Sequence, residues 1–574
     1  MILERCGMKV HPRAAWPSKL LALFVLIAPG CSGPILRPQS PEAVLQDDKL
    51  PDANFVSEFT HPYGTNYVKA EAVALITGLA GTGEDPPPTA NRVALLTEMS
   101  RRQVENPNRL LASPNTALVL LRGYLRPGIR EGDRFDIEVR VPRQSEITSL
   151  RDGWLLPTRL SEHASISGRV CKGKDLALAK GPLLVDPSAD SEAIATRGRV
   201  LGGGVALKSR PLGLIIDHAH QSARMSQSLS NAINRRFHLY VNGRKQGVAT
   251  PKNEEFVELS IHPRYKDNVS RYLAVIRNIA INQSASDANL RMPLLERQLK
   301  DPLTSSTAAL RLEALGAESS TEVLLKGVKS KDPEVQLYSA EALAYLDHTD
   351  AVEALANAAR NEPAFRANAL AALSTMNDVD SYDALRDMLS VQSTETRYGA
   401  FRSLWAMDED AAIVRGEPLD GQFSLHVLDV GGPPLIHVTK SFRPEIVLFG
   451  KSHQFQLPLV LDAGSKILVN GLSGGQITVS KFEPGKSPEK RVVSTDVEEV
   501  VRTIVDMGGT YPDVVQALQQ AKHEGALASR FRVDALPEPG RRYDRNGDKP
   551  DEVAQTGPSR DVASPLPNLF SRRR

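Results

Sequence analysis

The chain has 574 residues, about four domains' worth by length, with 70 Lys or Arg against 68 Asp or Glu and a formal charge of +2. A composition of 41% apolar and 24% charged residues excludes global disorder and a polytopic membrane protein. The balanced charge argues against nucleic acid as a partner, and three cysteines exclude a disulfide scaffold and a multi-cysteine zinc cluster.

Residues 1–31 read as a secretory signal. Arg5, Lys9, Arg13 and Lys19 precede nine consecutive apolar residues, 20–28 (LLALFVLIA). That run is too short to span a bilayer, which needs about 20 apolar residues. The segment ends Ala28-Pro29-Gly30-Cys31, which resembles a lipobox, with Pro29 a departure from the usual compact aliphatic and small run. Cys31 is the lipidation candidate, and Ser32 after it fits an outer-membrane lipoprotein; the alternative is an ordinary cleaved signal. Cys6 leaves with the signal. Cys171, in SGRVCKGKD, has no marked base and reads as structural.

Residues 32–65 are rich in Pro and acids without a sustained period, as in a tether. Residues 66–289 carry mixed α/β patterning. Residues 117–121 (ALVLL) suit a central strand, and Phe135, Ile137, Val139 and Val141 alternate with polar residues as in a half-buried strand. A strand at 214–216 precedes a helix whose apolar stripe is Met225, Leu229 and Ile233.

Residues 290–412 repeat. Leu312 and Leu315 recur as Leu343 and Leu346, as Leu373 and Met376, and as Leu404 and Met407, in steps of 31, 30 and 31. Val323-Leu324 recurs as Ala354-Leu355 and Ala384-Leu385, and Pro333 and Pro363 stand at candidate first helical positions. Two helical stripes per unit of that length predict an α-solenoid whose units resemble HEAT repeats.

Residues 419–535 return to β patterning. Strands are predicted around Ile446 and Leu448 and over 457–461, 467–469 and 477–479, with turns at Asn470-Gly471 and Gly474-Gly475. Two helices follow: Val497, Val500, Val501, Ile504 and Val505 behind an Asp496 N-cap, then Val514, Val515, Leu518 and Ala521 after Pro512. Residues 536–574, rich in Pro, Arg and Asp, read as a disordered tail.

No pattern marks catalysis, a metal or a cofactor. Gly78, Gly81 and Gly83 lack the Lys-Ser/Thr of a phosphate loop and read as a turn after a strand; Gly202-Gly203-Gly204 has the same shortcoming. His218 and His220 share a face if they lie on a strand, but no third ligand is marked.

Six blocks in order resemble the bacterial flagellar P-ring protein family: VALITGLAGTGED (73–85), NTALVLLRGYLRPGIREGDRFDIEVRV (115–141), SLRDGWLLPTRL (149–160), the block 198–237 ending AINRRF, the block 436–464, and VVRTIVDMGGTYPDVVQALQQAKHEGAL (500–527). The motif residues are Gly78, Gly81, Thr82, Gly83, Asp85, Leu150, Arg151, Gly153, Gly203, Asn234 and Phe237. The resemblance implies an α+β fold: a mixed α/β ring-protein body interrupted by the HEAT-like α-solenoid. It also implies a structural role without catalytic residues. Copies of the chain would form a periplasmic ring at the peptidoglycan layer, around the flagellar rod and next to the outer-ring proteins.

Three features depart from that family: the solenoid insert, the lipobox, and the lack of cysteines for a disulfide that some members have. An alternative is a non-flagellar outer-membrane lipoprotein scaffold that uses its solenoid to bind an unknown protein partner.

Overall fold

The computed structural model describes residues 53–166, 169–185, 195–472, 474–544 and 559–570. The signal and Cys31 lie outside these residues. The observed class is α+β, with a mixed body interrupted by an α-solenoid.

Alternation in Arg134–Arg140 turns Ile137 and Val139 inward, both buried. This strand pairs antiparallel with Thr116–Leu125 on one side and Arg197–Ala206 on the other. Adding Arg169–Pro182, Trp154–Ile166 and Val68–Thr77 closes a six-stranded barrel, which leaves no open edge. The 117–121 run is therefore a barrel strand. The interior is narrow: a Cβ at Gly123 or Gly204 would press into the side chains of Phe135 and Ile137.

Beside the barrel is a four-stranded antiparallel sheet in the order Thr60–Tyr63, Leu212–Ile216, Phe256–Leu259, Ala249–Pro251. The helices Ala223–Arg236 and Val269–Arg277 share its core. The tether expected over 32–65 is corrected over 53–65, and residues 32–52 lie outside the described residues. Phe55 bridges to Ala280, Val56 is fully buried, and Thr60–Tyr63 is an edge strand paired with Leu212–Ile216. The Phe55 ring also lies against Arg291 at 4.8 Å and Arg311 at 5.1 Å. Elements of four residues are too short to show a period, and their partners are far along the chain.

The insert is four helix pairs: Ala285–Lys300 with Ser305–Leu315, Glu318–Val328 with Pro333–Tyr345, Val352–Asn361 with Arg366–Leu373, and Val379–Asp387 with Thr394–Met407. Leu312, Leu343, Leu373 and Leu404, equivalent by spacing, lie on the second helix of each pair and are all fully buried. Leu324, Leu355 and Leu385 do the same on three of the first helices. Pro333 takes the first helical position, but Pro363 does not: it sits in a turn before Arg366–Leu373. The solenoid core is continuous with that of the four-stranded sheet.

The late part holds a five-stranded mixed sheet, ordered Glu417–Leu419, Phe423–Leu428, Glu445–Phe449, Leu435–Val438, Arg530–Val533. A four-stranded antiparallel meander, Leu459–Ala463, Ile467–Gly471, Ile477–Lys481 and Glu489–Val493, shares a core with the helices Val497–Asp506 and Tyr511–His523. Asn470 and Gly471 end a strand rather than forming a turn. Asp496 is the N-cap residue, but its side chain does not bond the helix; it accepts from Ser494 and Gln454.

The disordered tail expected over 536–574 is also corrected where it is described, at 536–544 and 559–570, and the rest lies outside the described residues. Ser559–Asp561 pairs antiparallel with Arg542–Asp544, and Val562, Ser564 and Phe570 are buried. The segment is held by side-chain bonds to its backbone, an interaction that leaves no periodic trace in a Pro-rich sequence.

Candidate functional site

The first motif residues gather at one end of the barrel. After strand Val68–Thr77 the chain turns at Gly78 and Gly81, both at positive φ (85° and 80°), which glycine adopts without strain. Leu79 is buried, and its N–H donates to the carbonyl of Asn115 at 3.2 Å. Gly83 presses on the backbone: a Cβ there would lie 2.1 Å from the Thr116 carbonyl oxygen. The Thr82 hydroxyl donates to the Ser149 carbonyl at 2.7 Å, and Asp85 pairs with Arg92.

The 149–160 block meets that loop from below. Leu150 is fully buried, Arg151 is exposed beside it, and the Gly153 N–H donates to the Leu150 carbonyl at 3.2 Å. A Cβ on Gly153 would strike the Ile76 side chain at 2.7 Å. Gly83 and Gly153 are thus sites of close approach joining strand ends, and their N–H groups donate to the Pro114 and Leu150 carbonyls rather than toward a phosphate.

The remaining motif residues lie apart from this joint. Gly203 sits in Arg197–Ala206, where a Cβ would meet Val200 at 2.3 Å. The Asn234 side chain both donates to and accepts from the backbone of Ala249, each at 2.8 Å, pinning the helix to an edge strand. Phe237 is buried edge-on against Tyr265 (5.5 Å) and Tyr272 (5.3 Å).

Two buried polar junctions went unmarked in the sequence reading. In the first, Arg271 of helix Val269–Arg277 donates to Glu313 at 2.7 Å and stands 3.3 Å from Glu341, both on the insert. Tyr265 donates to Glu313 at 2.7 Å and stacks on Tyr345 at 4.7 Å. Two carboxyls share one guanidinium, and burial holds Glu313 above the ordinary carboxylate range despite Arg271.

In the second junction, Glu445 of the five-stranded sheet accepts from Tyr398 and, at 3.3 Å, from Arg402, both on the last insert helix. Burial pushes the Glu445 carboxyl up, but Arg402 and His426 outweigh it and the net shift is downward. Arg397 adds a donation to the Pro433 carbonyl at 2.6 Å. The available signal was charge on apolar stripes: Glu313 between Leu312 and Ala314, Glu341 among alanines.

A cleft of about 1060 Å³ lies against the barrel wall. Its charges largely cancel in pairs, Arg122–Glu71 at 3.0 Å, Arg102–Glu98 at 2.9 Å and Arg159–Asp175 at 3.4 Å. His218 and His220 form a short, exposed 3-10 turn, not a strand face. Among the described residues, no three His, Cys, Asp or Glu are grouped to hold a metal. Among the described residues, no helix is long and apolar enough to cross a membrane.

Comparison with known proteins accords with this geometry. Residues 64–291 match the family model described as flagellar P-ring protein, and residues 321–405 match HEAT repeats. A flagellar P-ring protein of Pectobacterium carotovorum subsp. carotovorum (strain PC1) is 28% identical over 234 residues, 38% of this chain and 58% of the relative. One of Anaeromyxobacter dehalogenans (strain 2CP-C) is 26% identical over 256 residues, 42% of this chain and 63% of the relative. A third, of Desulfotalea psychrophila, is 24% identical over 262 residues, 43% of this chain and 62% of the relative. The chain thus spans 58% to 63% of the length of these three relatives. The matched region holds the barrel and the glycine joint at its end, and the repeats lie beyond it: residues 64–291 are similar to the flagellar P-ring protein family, and residues 321–405 are similar to HEAT repeats.

Proposed function

We propose that this chain is a structural, non-enzymatic subunit of a periplasmic ring of the flagellar basal body. The observation that carries this reading is the match over residues 64–291, within which Gly83 and Gly153 stand where strand ends approach closely. A ring of identical subunits needs a head-to-tail contact that closes on itself. The barrel has no open edge to give, but the meander has one: Glu489–Val493 is an exposed edge strand with Val492 outward. The opposite edge, Leu459–Ala463, is capped by Gln520, which accepts the Asp462 N–H at 2.9 Å and donates to the Val460 carbonyl at 3.3 Å. The Glu489–Val493 edge suits contact between copies. In this reading the ring surrounds the rod at the peptidoglycan layer, next to the outer-ring proteins, and supports motility.

Cryo-electron microscopy of basal bodies tests the proposal. Density for the barrel and the insert, repeated around the rod, is expected. A deletion strain with intact basal bodies and normal motility would overturn it. Anchoring of Cys31 in the outer membrane is a separate part of the proposal. Cys31→Ser should move the protein to the soluble periplasmic fraction, and unchanged fractionation refutes the anchor.

A further inference from the structure

The second helices of three successive insert repeats line one groove, and side chains from each of them face the same chain segment. Tyr338 and Asn368 stand 30 residues apart, the step of their repeats, and Ser306 lies one residue off the position equivalent to Tyr338. Each bonds the backbone of residues 563–565. Ser306 donates to the Ala563 carbonyl at 2.9 Å, and Tyr338 accepts the Ala563 N–H at 3.0 Å. Asn368 donates to the Pro565 carbonyl at 3.3 Å. Asn268 donates to that carbonyl at 3.5 Å from the facing helix, and the Asn568 side chain accepts the Val269 N–H at 2.9 Å.

At the centre, the Ser564 hydroxyl donates to Glu341 at 2.6 Å and accepts from Arg271 at 3.2 Å. It therefore completes the buried charge cluster. Phe570 is fully buried at one end of the segment and Val562 nearly so at the other. Pro565 and Pro567 favour an extended backbone between them.

This is how a receptor holds a peptide. The bonds run from groove side chains to ligand backbone, one hydroxyl is read by a charge pair, and two apolar anchors sit at the ends. We propose that the HEAT insert is a peptide-binding module whose resident ligand is the chain's own segment 559–570, bound in cis and exchangeable. The ligand class is an extended peptide with an apolar residue, then a serine two positions on, a proline directly after it, and an aromatic six positions after the serine. The inference does not depend on the ring reading.

The test uses the full chain and a fluorescein-labelled peptide of residues 559–570. In the wild-type chain the tethered copy competes at high effective concentration, so the labelled peptide binds poorly. Ser564→Glu sets a third carboxylate against Glu341 and Glu313 and expels the resident segment. Phe570→Ala removes one anchor without adding charge. Both variants are expected to bind the labelled peptide at least tenfold more tightly than wild type, with helical circular dichroism retained. Equal binding by all three chains, or no binding by folded variants, overturns the proposal. Unfolding of both variants overturns it too, because the segment is then an inseparable part of the core.

Discussion

Asp136, on a barrel strand, accepts the backbone N–H of Phe442, 306 residues later, at 2.8 Å. Its other oxygen accepts the Gly202 N–H at 2.9 Å. One carboxylate therefore joins the barrel to the loop before Glu445–Phe449 of the five-stranded sheet. Burial raises its pKa against these two bonds and Arg199. Asp136→Ala leaves two N–H groups unpaired and should cost about 1–3 kcal/mol in urea unfolding. A loss under a few tenths would mean that the barrel and sheet are held together elsewhere.

Arg271 faces two carboxylates with almost no solvent. Arg271→Met should cost about 3–5 kcal/mol, because it strands buried charge. Adding Glu313→Leu and Glu341→Leu should recover part of that loss, since the desolvation cost goes with the charges. Thermal melts of the single and triple variants check this. A triple variant less stable than the single would refute it.

The glycine joint makes a contrast. Gly83→Ala must displace the Thr116 carbonyl and should cost about 1–3 kcal/mol, as overpacking does. Gly81→Ala meets open space and bears only the strain of positive φ, about 1 kcal/mol. A phosphate-binding loop would instead leave both variants stable and lose ligand. Denaturant midpoints of the two variants separate these cases.

Glu395 accepts from Arg541 at 2.7 Å and from Arg366 at 2.9 Å. Burial pushes its carboxyl up, and the two guanidinium groups more than reverse that, so its folded pKa lies below the ordinary value. The stabilisation is therefore complete above the unfolded value of about 4.5 and disappears as pH falls through the lower folded value. Glu395→Gln should flatten the acid limb of a stability-against-pH curve below pH 5 and leave its slope at higher pH unchanged. A wild-type slope in the variant would show that Glu395 does not drive acid unfolding.

The solenoid was legible because Leu312, Leu343, Leu373 and Leu404 state the same local rule four times. The barrel was legible only strand by strand. Its closure rests on pairings such as Ile76 with Leu155, set by distant backbone and by small residues such as Gly123, which give no periodic signal. The motif residues were picked by resemblance, and nothing in their order showed that Gly83 and Gly153 stand at close approaches between strand ends. The described parts of the two ends were misread for one reason: Val56 and Ser564 are buried by partners far along the chain, and a Pro-rich, polar stretch looks the same whether solvated or clasped.

The clasped segment also bears on the order of folding. The six barrel strands lie within residues 68–206 and can close while the rest of the chain is still being delivered. The Arg271 cluster cannot: its final partner, Ser564, follows Glu341 by 223 residues. Until then Glu341 lacks one of its donors and the place of Phe570 is open to water. The insert thus matures after the barrel, because its charge cluster waits on a segment delivered long after its own helices.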